Sequence, residues 1–187
     1  RIDGLILTHY DRDPAGGVQY LSHRINIERV YLPLTEDADG CLRSVMDAVK
    51  EHIDIDTDMT IAFGDAQIQL FPAKDAGSGN DSCASVLFQR EKCDTLITGD
   101  LSAEAERQLL GDYDLPDLEV LIVGHHGSKY STCEALLEAT APDTAIISVG
   151  ADNSYGHPTE ETLRRVAERG CGIYRTDLQG TLHLPIN

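Results

Sequence analysis

With 187 residues, 41% of them apolar, the chain has the length of one domain and enough apolar side chains to bury a core. Its 32 acidic and 15 basic residues leave a net charge of −17, which repels phosphates at long range and excludes tight non-specific nucleic-acid binding through Lys and Arg. No apolar run approaches the roughly 20 residues of a membrane-crossing helix, and five cysteines without a CxxC pair exclude a structural zinc ribbon and argue against a disulfide framework.

The order of elements alternates strands and helices. Residues 2 to 8 (IDGLILT) form a short apolar run that predicts a buried strand, and residues 16 to 22 a short helix. A second strand covers residues 28 to 32. Leu42, Val45, Met46 and Val49 recur at helical spacing and predict an amphipathic helix over residues 39 to 52. Two strands, 59 to 63 and 66 to 70, flank Gly64-Asp65 as a tight hairpin turn. A Gly/Ser-rich loop over 73 to 80 leads to strands at 84 to 89 and 95 to 98. A helix at 102 to 110 carries Glu104 and Glu106 near its positive end. There follow a strand at 119 to 123, a helix at 131 to 139, a strand at 144 to 149, and a helix at 159 to 168 ended by Gly170. Residues 173 to 175 and 181 to 184 read as a closing hairpin around Gly180. Hairpins mixed with βα units indicate a layered α/β domain spanning the whole chain.

Polar clusters stand directly after predicted strands, where layered α/β proteins build their sites. His9, Asp11 and Asp13 lie at alternate positions of one loop, and imidazole with carboxylate suits zinc, manganese or iron. Asp100 follows Gly99 at a strand end; it reads as a ligand or as a helix N-cap, a role for which Ser102 competes. His125 and His126 are adjacent and cannot both point the same way, so one is expected to be a ligand and the other its supporting partner. His157, in a Gly-His-Pro turn, is a candidate proton donor or phosphate contact.

The pieces THYDRDPAGG, TGD, GHHGSKYS, SVGADNSYGHP and YRTDLQG occur in one order along almost the whole chain. Together they resemble the hydrolase domain of the ComEC-type, DNA-internalisation branch of the metallo-β-lactamase superfamily. The resemblance implies an αββα sandwich, here lacking its N-terminal strands, with one or two divalent metals, zinc or manganese. It implies His9 and Asp11 on a first metal, Asp13 with His125 or His126 on a second, and Asp100 bridging them. Asp13 and His157 would be catalytic; Asn80, Ser128 and His157 would contact substrate. It also implies DNA as substrate, a membrane-channel part of the same full-length protein, and residence of that protein in the bacterial cell membrane, with this domain itself soluble.

The chain departs from the family pattern at Pro14, where a ligand His is usual, and at Asn80, where many relatives carry His. An amide oxygen is a poor zinc ligand, although hard cations accept it. Without the N-terminal strands a sheet edge would be open, which predicts association of two copies through it. Pro14 and the acidity favour a metal-poor relative with a structural or regulatory role in DNA uptake. Asp100, the paired histidines and His157 favour a phosphodiesterase or nuclease, and a small-molecule hydrolase is the third class.

Overall fold

The structure, a computed structural model, describes residues 1–10, 15, 17–36, 40–74 and 79–184. Asp11, Asp13 and Pro14 lie outside the described residues. The chain forms two compact units, Arg1–Met59 with Leu70–Ser85, and Thr60–Gln69 with Val86–Asn187.

The first unit carries a parallel three-stranded sheet of β1 (Leu5–Ile6), β2 (Arg29–Pro33) and β3 (Glu51–Ile55), in that order. Helices α1 (Val18–Ser22) and α2 (Cys41–Ala48) supply apolar faces to a core of Leu7, Tyr10, Ala15, Val18, Ile27, Val30, Leu32 and Val45. The buried Tyr10 hydroxyl is satisfied by donating to the Pro33 carbonyl at 2.6 Å. The helix expected over 39 to 52 ends at Ala48, and residues 51 to 55 are a strand. Val49 is extended, at φ −125° and ψ 157°, and Ile53 and Ile55 then alternate inward in register with Tyr31 and Pro33. The first strand is shorter than expected; Ile2 keeps only an isolated bridge to Ile27.

The second unit is built on a seven-stranded sheet, ordered β10-β9-β8-β7-β6-β5-β4. β4 (Met59–Phe63) and β5 (Ala66–Phe71) flank the expected Gly64-Asp65 turn, where Gly64 sits at φ +60°. β6 (Ser85–Arg90) and β7 (Cys93–Ile97) are antiparallel, whereas β7, β8 (Val120–Ile122), β9 (Thr144–Ile147) and β10 (Gly172–Arg175) run parallel. Leu87, Leu96, Leu121 and Ala145 stand in one register row, and all are buried. Three longer helices pack in this unit, α3 (Ala103–Asp112), α4 (Glu134–Thr140) and α5 (Glu160–Glu168). Parallel pairing brings the ends of β7, β8 and β9 to one sheet edge, so the loops holding Asp100, His125-His126 and His157 emerge side by side.

The closing hairpin is not formed. After β10 the chain enters a short helix, α6 (Thr176–Gln179), and residues 181 to 184 are not a strand. Thr176 is drawn onto the end of β9: its hydroxyl donates to the Val149 carbonyl at 2.9 Å and accepts from the Val149 N–H at 2.8 Å. Among the described residues no helix is long and apolar enough to cross a membrane.

Candidate active site

The segment after β8 is a tight turn, not a helix start. His125 and His126 both adopt left-handed backbone, at φ 48° and 53°, and Thr132 does so at φ 54°. Non-glycine residues pay strain energy there, so the surroundings must hold them. The His125 N–H donates to the Gly99 carbonyl at 3.0 Å, tying the histidine turn to the loop of Asp100. The Gly124 N–H donates to the Thr132 hydroxyl at 3.0 Å. A Cβ at Gly124 would lie 3.1 Å from Thr98 Oγ1, so the two loops close only over a glycine. Gly127, at φ +86°, is tighter still: a Cβ there would approach Pro158 Cβ to 2.5 Å.

Two charged side chains clamp the rest of that loop. Glu106, fully buried, accepts from the N–H groups of Thr132 and Cys133, each at 2.7 Å. Burial pushes its carboxyl above the usual carboxylate range, opposed by those two N–H bonds. Arg165 donates to the carbonyls of Ser131 and Thr132, both at 2.9 Å, and to that of Lys129 at 3.3 Å. This is why α4 begins at Glu134 and not at Ser131. Glu106 therefore does not act as a surface charge at the α3 N-terminus; Ser102 caps that helix by accepting from the Ala105 N–H. Neither clamp was singled out from the sequence. The signal for Glu106 is an acid three residues before the buried Leu109 on one helical face.

Within this frame, His125 Nε2 stands 3.6 Å from Asp100 Oδ2, with the side chains 25% and 13% exposed. That gap is beyond a good hydrogen bond, and matches two ligands each about 2.1 Å from one tetrahedral ion. His126 Nδ1 lies 2.7 Å from the Ser148 carbonyl, which accepts only, so Nδ1 carries the proton and Nε2 is the nitrogen that can take a metal. The rings of His125 and His157 meet edge to face at 5.7 Å, and those of His125 and His126 at 6.5 Å. Burial and the two neighbouring histidines hold the His157 imidazole below its usual range, against the opposite pull of Asp100. His157 Nδ1 is buried and, among the described residues, has no hydrogen-bond partner. Asn153 fixes its backbone, accepting from the His157 N–H at 2.9 Å and donating to the His157 carbonyl at 2.7 Å.

The structure thus brings together Asp100, His125, His126 and His157 of the second unit. Ser128 belongs to the same turn but is 2% exposed, and its hydroxyl accepts from the Tyr130 N–H at 3.3 Å, a role inside the loop. His9 and Asn80 belong to the first unit, where the Ala84 N–H donates to the Thr8 carbonyl at 2.8 Å. His9 Nδ1 lies 2.8 Å from Thr8 Oγ1, and Asn80 is exposed in a single turn, Asn80–Ser82. Among the described residues no three His, Cys, Asp or Glu side chains are grouped to hold a metal ion. The donor types are nonetheless those of divalent-metal chemistry: a carboxylate facing an imidazole, and a second imidazole oriented by a backbone carbonyl.

The chain is 30% identical to ComE operon protein 3 of Bacillus subtilis and 32% identical to competence protein ComA of Neisseria gonorrhoeae, each over 97% of its length. Recombination protein 2 of Haemophilus influenzae is 28% identical over 98% of the chain. These alignments cover 24%, 25% and 22% of the relatives, so the chain spans about a quarter of their length. Among solved structures, CmlA, a diiron β-hydroxylase from Streptomyces venezuelae, has the same fold with a TM-score of 0.63 at 16% identity, covering 94% of this chain and 44% of that one. A metallo hydrolase from Ignicoccus hospitalis has a TM-score of 0.54 at 13% identity, covering 92% and 75%. Residues 1–151 match the Metallo-beta-lactamase superfamily model, and the chain belongs to that superfamily.

Proposed function

We propose that this chain is the metal-dependent phosphodiesterase domain of a DNA-uptake protein. The observation that carries the reading is the Asp100–His125 pair, its side chains 3.6 Å apart beside His157, whose buried Nδ1 has no hydrogen-bond partner among the described residues. One relative is named a competence protein and another a recombination protein, which supports DNA as the substrate; the family resemblance further implies a membrane-bound whole protein. Asp100 with His125 or His126 would hold a divalent ion, zinc or manganese. Of the other ligands that the family pattern implies, His9 belongs to the first unit, and Asp11 and Asp13 lie outside the described residues. When bound, such an ion supplies an activated water and neutralises phosphate charge.

The chain's own residues do the rest. The Ser148 carbonyl sets the tautomer of His126. His157, neutral near pH 7 because burial lowers its pKa, can donate a hydrogen bond to a phosphate oxygen. Asn153 holds His157 at that edge.

Plasma mass spectrometry of the chain after incubation with excess zinc or manganese and desalting tests the metal. One or two ions per chain are expected, lost more completely in Asp100→Ala than in His157→Ala. Hydrolysis of bis-p-nitrophenyl phosphate, with nitrocefin and a thioester turned over slowly or not at all, is the expected activity. Preference for either of the last two would replace this reading with a small-molecule hydrolase. Pro14 stands where a ligand His is usual, and favours a metal-poor, structural domain. Pro14→His is expected to raise metal content toward two ions per chain; no change would remove the second metal from the proposal.

A further inference from the structure

The turn between β9 and α5 holds a side chain that the fold does not use. Tyr155 is 82% exposed at the tip of this turn. The turn is closed by Asn153, which donates to the Gly150 carbonyl at 3.0 Å and brackets the backbone of His157 from both sides. Tyr155 is therefore held in place by its neighbours' bonds and not by its own packing. Its ring lies nearly parallel to the His157 imidazole, at 6.0 Å and 18° between planes. His157 in turn meets His125, and His125 faces Asp100. A run of ring contacts, edge to face between His125 and His157 and stacked between His157 and Tyr155, thus leads outward from the candidate metal ligands and ends in an aromatic face open to solvent.

A chain of net charge −17 repels a polyanion at long range and gains little from charge in gathering one. Stacking on aromatic side chains is the contact to nucleic acid that needs no positive field, and every base offers a face for it. Only a base outside a duplex stack presents that face.

We infer that Tyr155 is a specificity-determining residue that stacks on an unpaired nucleobase next to the phosphodiester to be cut. The inference rests on the phosphodiesterase reading above, but it is tested by binding, which needs no turnover. The probes are a fluorescent single-stranded oligothymidylate and an abasic oligomer with the same number of phosphates, titrated with metal-free protein and followed by anisotropy.

The wild type is expected to bind the base-bearing strand at least about fivefold more tightly than the abasic one, the lower end of the about 1–3 kcal/mol that a stacked base contributes. Tyr155→Ala is expected to collapse that ratio toward one, and Tyr155→Phe to keep it. Wild type that does not discriminate, or a ratio unchanged in Tyr155→Ala, overturns the assignment. So does a Tyr155→Phe variant as poor as Tyr155→Ala. If the ratio behaves as expected but no metal gives cleavage of either oligomer, the hydrolase reading falls and the base-binding role of Tyr155 stands. Thermal unfolding of each variant should match wild type, because the side chain is exposed.

Discussion

At the scale of single residues, the strained histidine turn is held by partners that carry no chemistry themselves. Gly127→Ala would bring a Cβ to within 2.5 Å of Pro158 at φ +86°. A loss of about 2 kcal/mol or more of unfolding free energy, measured by chemical denaturation, is expected from overpacking and a disfavoured conformation together. Glu106 gives a pH signature. Its carboxyl titrates above the ordinary range in the fold, so the native state holds that proton more tightly than the unfolded chain does. Its contribution to stability is full below the unfolded value and is lost as pH rises through the folded one. Subtracting the stability of Glu106→Gln from that of wild type, from about pH 4 upward, should therefore give a difference that declines with pH. A flat difference would mean that the buried carboxyl titrates as an ordinary one. The gathering of Asp100, His125, His126 and His157 on neighbouring loops was legible because chemistry-bearing residue types stand in a recognisable order after strands. Glu106 and Arg165 were not, because their work is with backbone groups distant in sequence, Thr132 and Cys133 for one, Lys129, Ser131 and Thr132 for the other.

At the scale of elements, periodicity located most strands and helices and misjudged where tertiary bonds overrule it. The β4–β5 hairpin followed directly from Gly64-Asp65, and the α5 boundary from Thr159 and Gly170. The α2 helix was drawn too long because Val49 continues its apolar spacing, and the strand Glu51–Ile55 that follows was not expected. The last hairpin failed because Thr176 binds Val149, a contact with no local sequence signal. Thr159 joins two elements: its hydroxyl accepts from the Thr162 N–H to cap α5, and its N–H donates to the Gly127 carbonyl. Thr159→Ala should cost about 1 kcal/mol by loss of the cap. In a chemical-denaturation series, an effect below a few tenths of a kcal/mol would show that the backbone bond to Gly127 alone sets the helix start.

At the scale of the molecule, charge sets how a nucleic acid would have to be held under the proposed reading. A basic nuclease loses affinity steeply as salt rises, because it releases counterions from the phosphates. A chain of net charge −17 that binds through stacking should show a flat or rising affinity for oligothymidylate between 50 and 200 mM salt, since added ions screen repulsion. A loss on the order of a thousandfold over that range would reveal a basic track and sink the stacking model. Connectivity has a further effect. The first unit is built from Arg1–Met59 and Leu70–Ser85, with Thr60–Gln69 belonging to the second. A chain made from its N-terminus therefore produces part of the second unit before it has finished the first. Residues up to Met59 must wait on the ribosome for the Leu70–Ser85 segment, and a pause in translation between the two would leave the three-stranded sheet without the segment that bonds the Thr8 carbonyl.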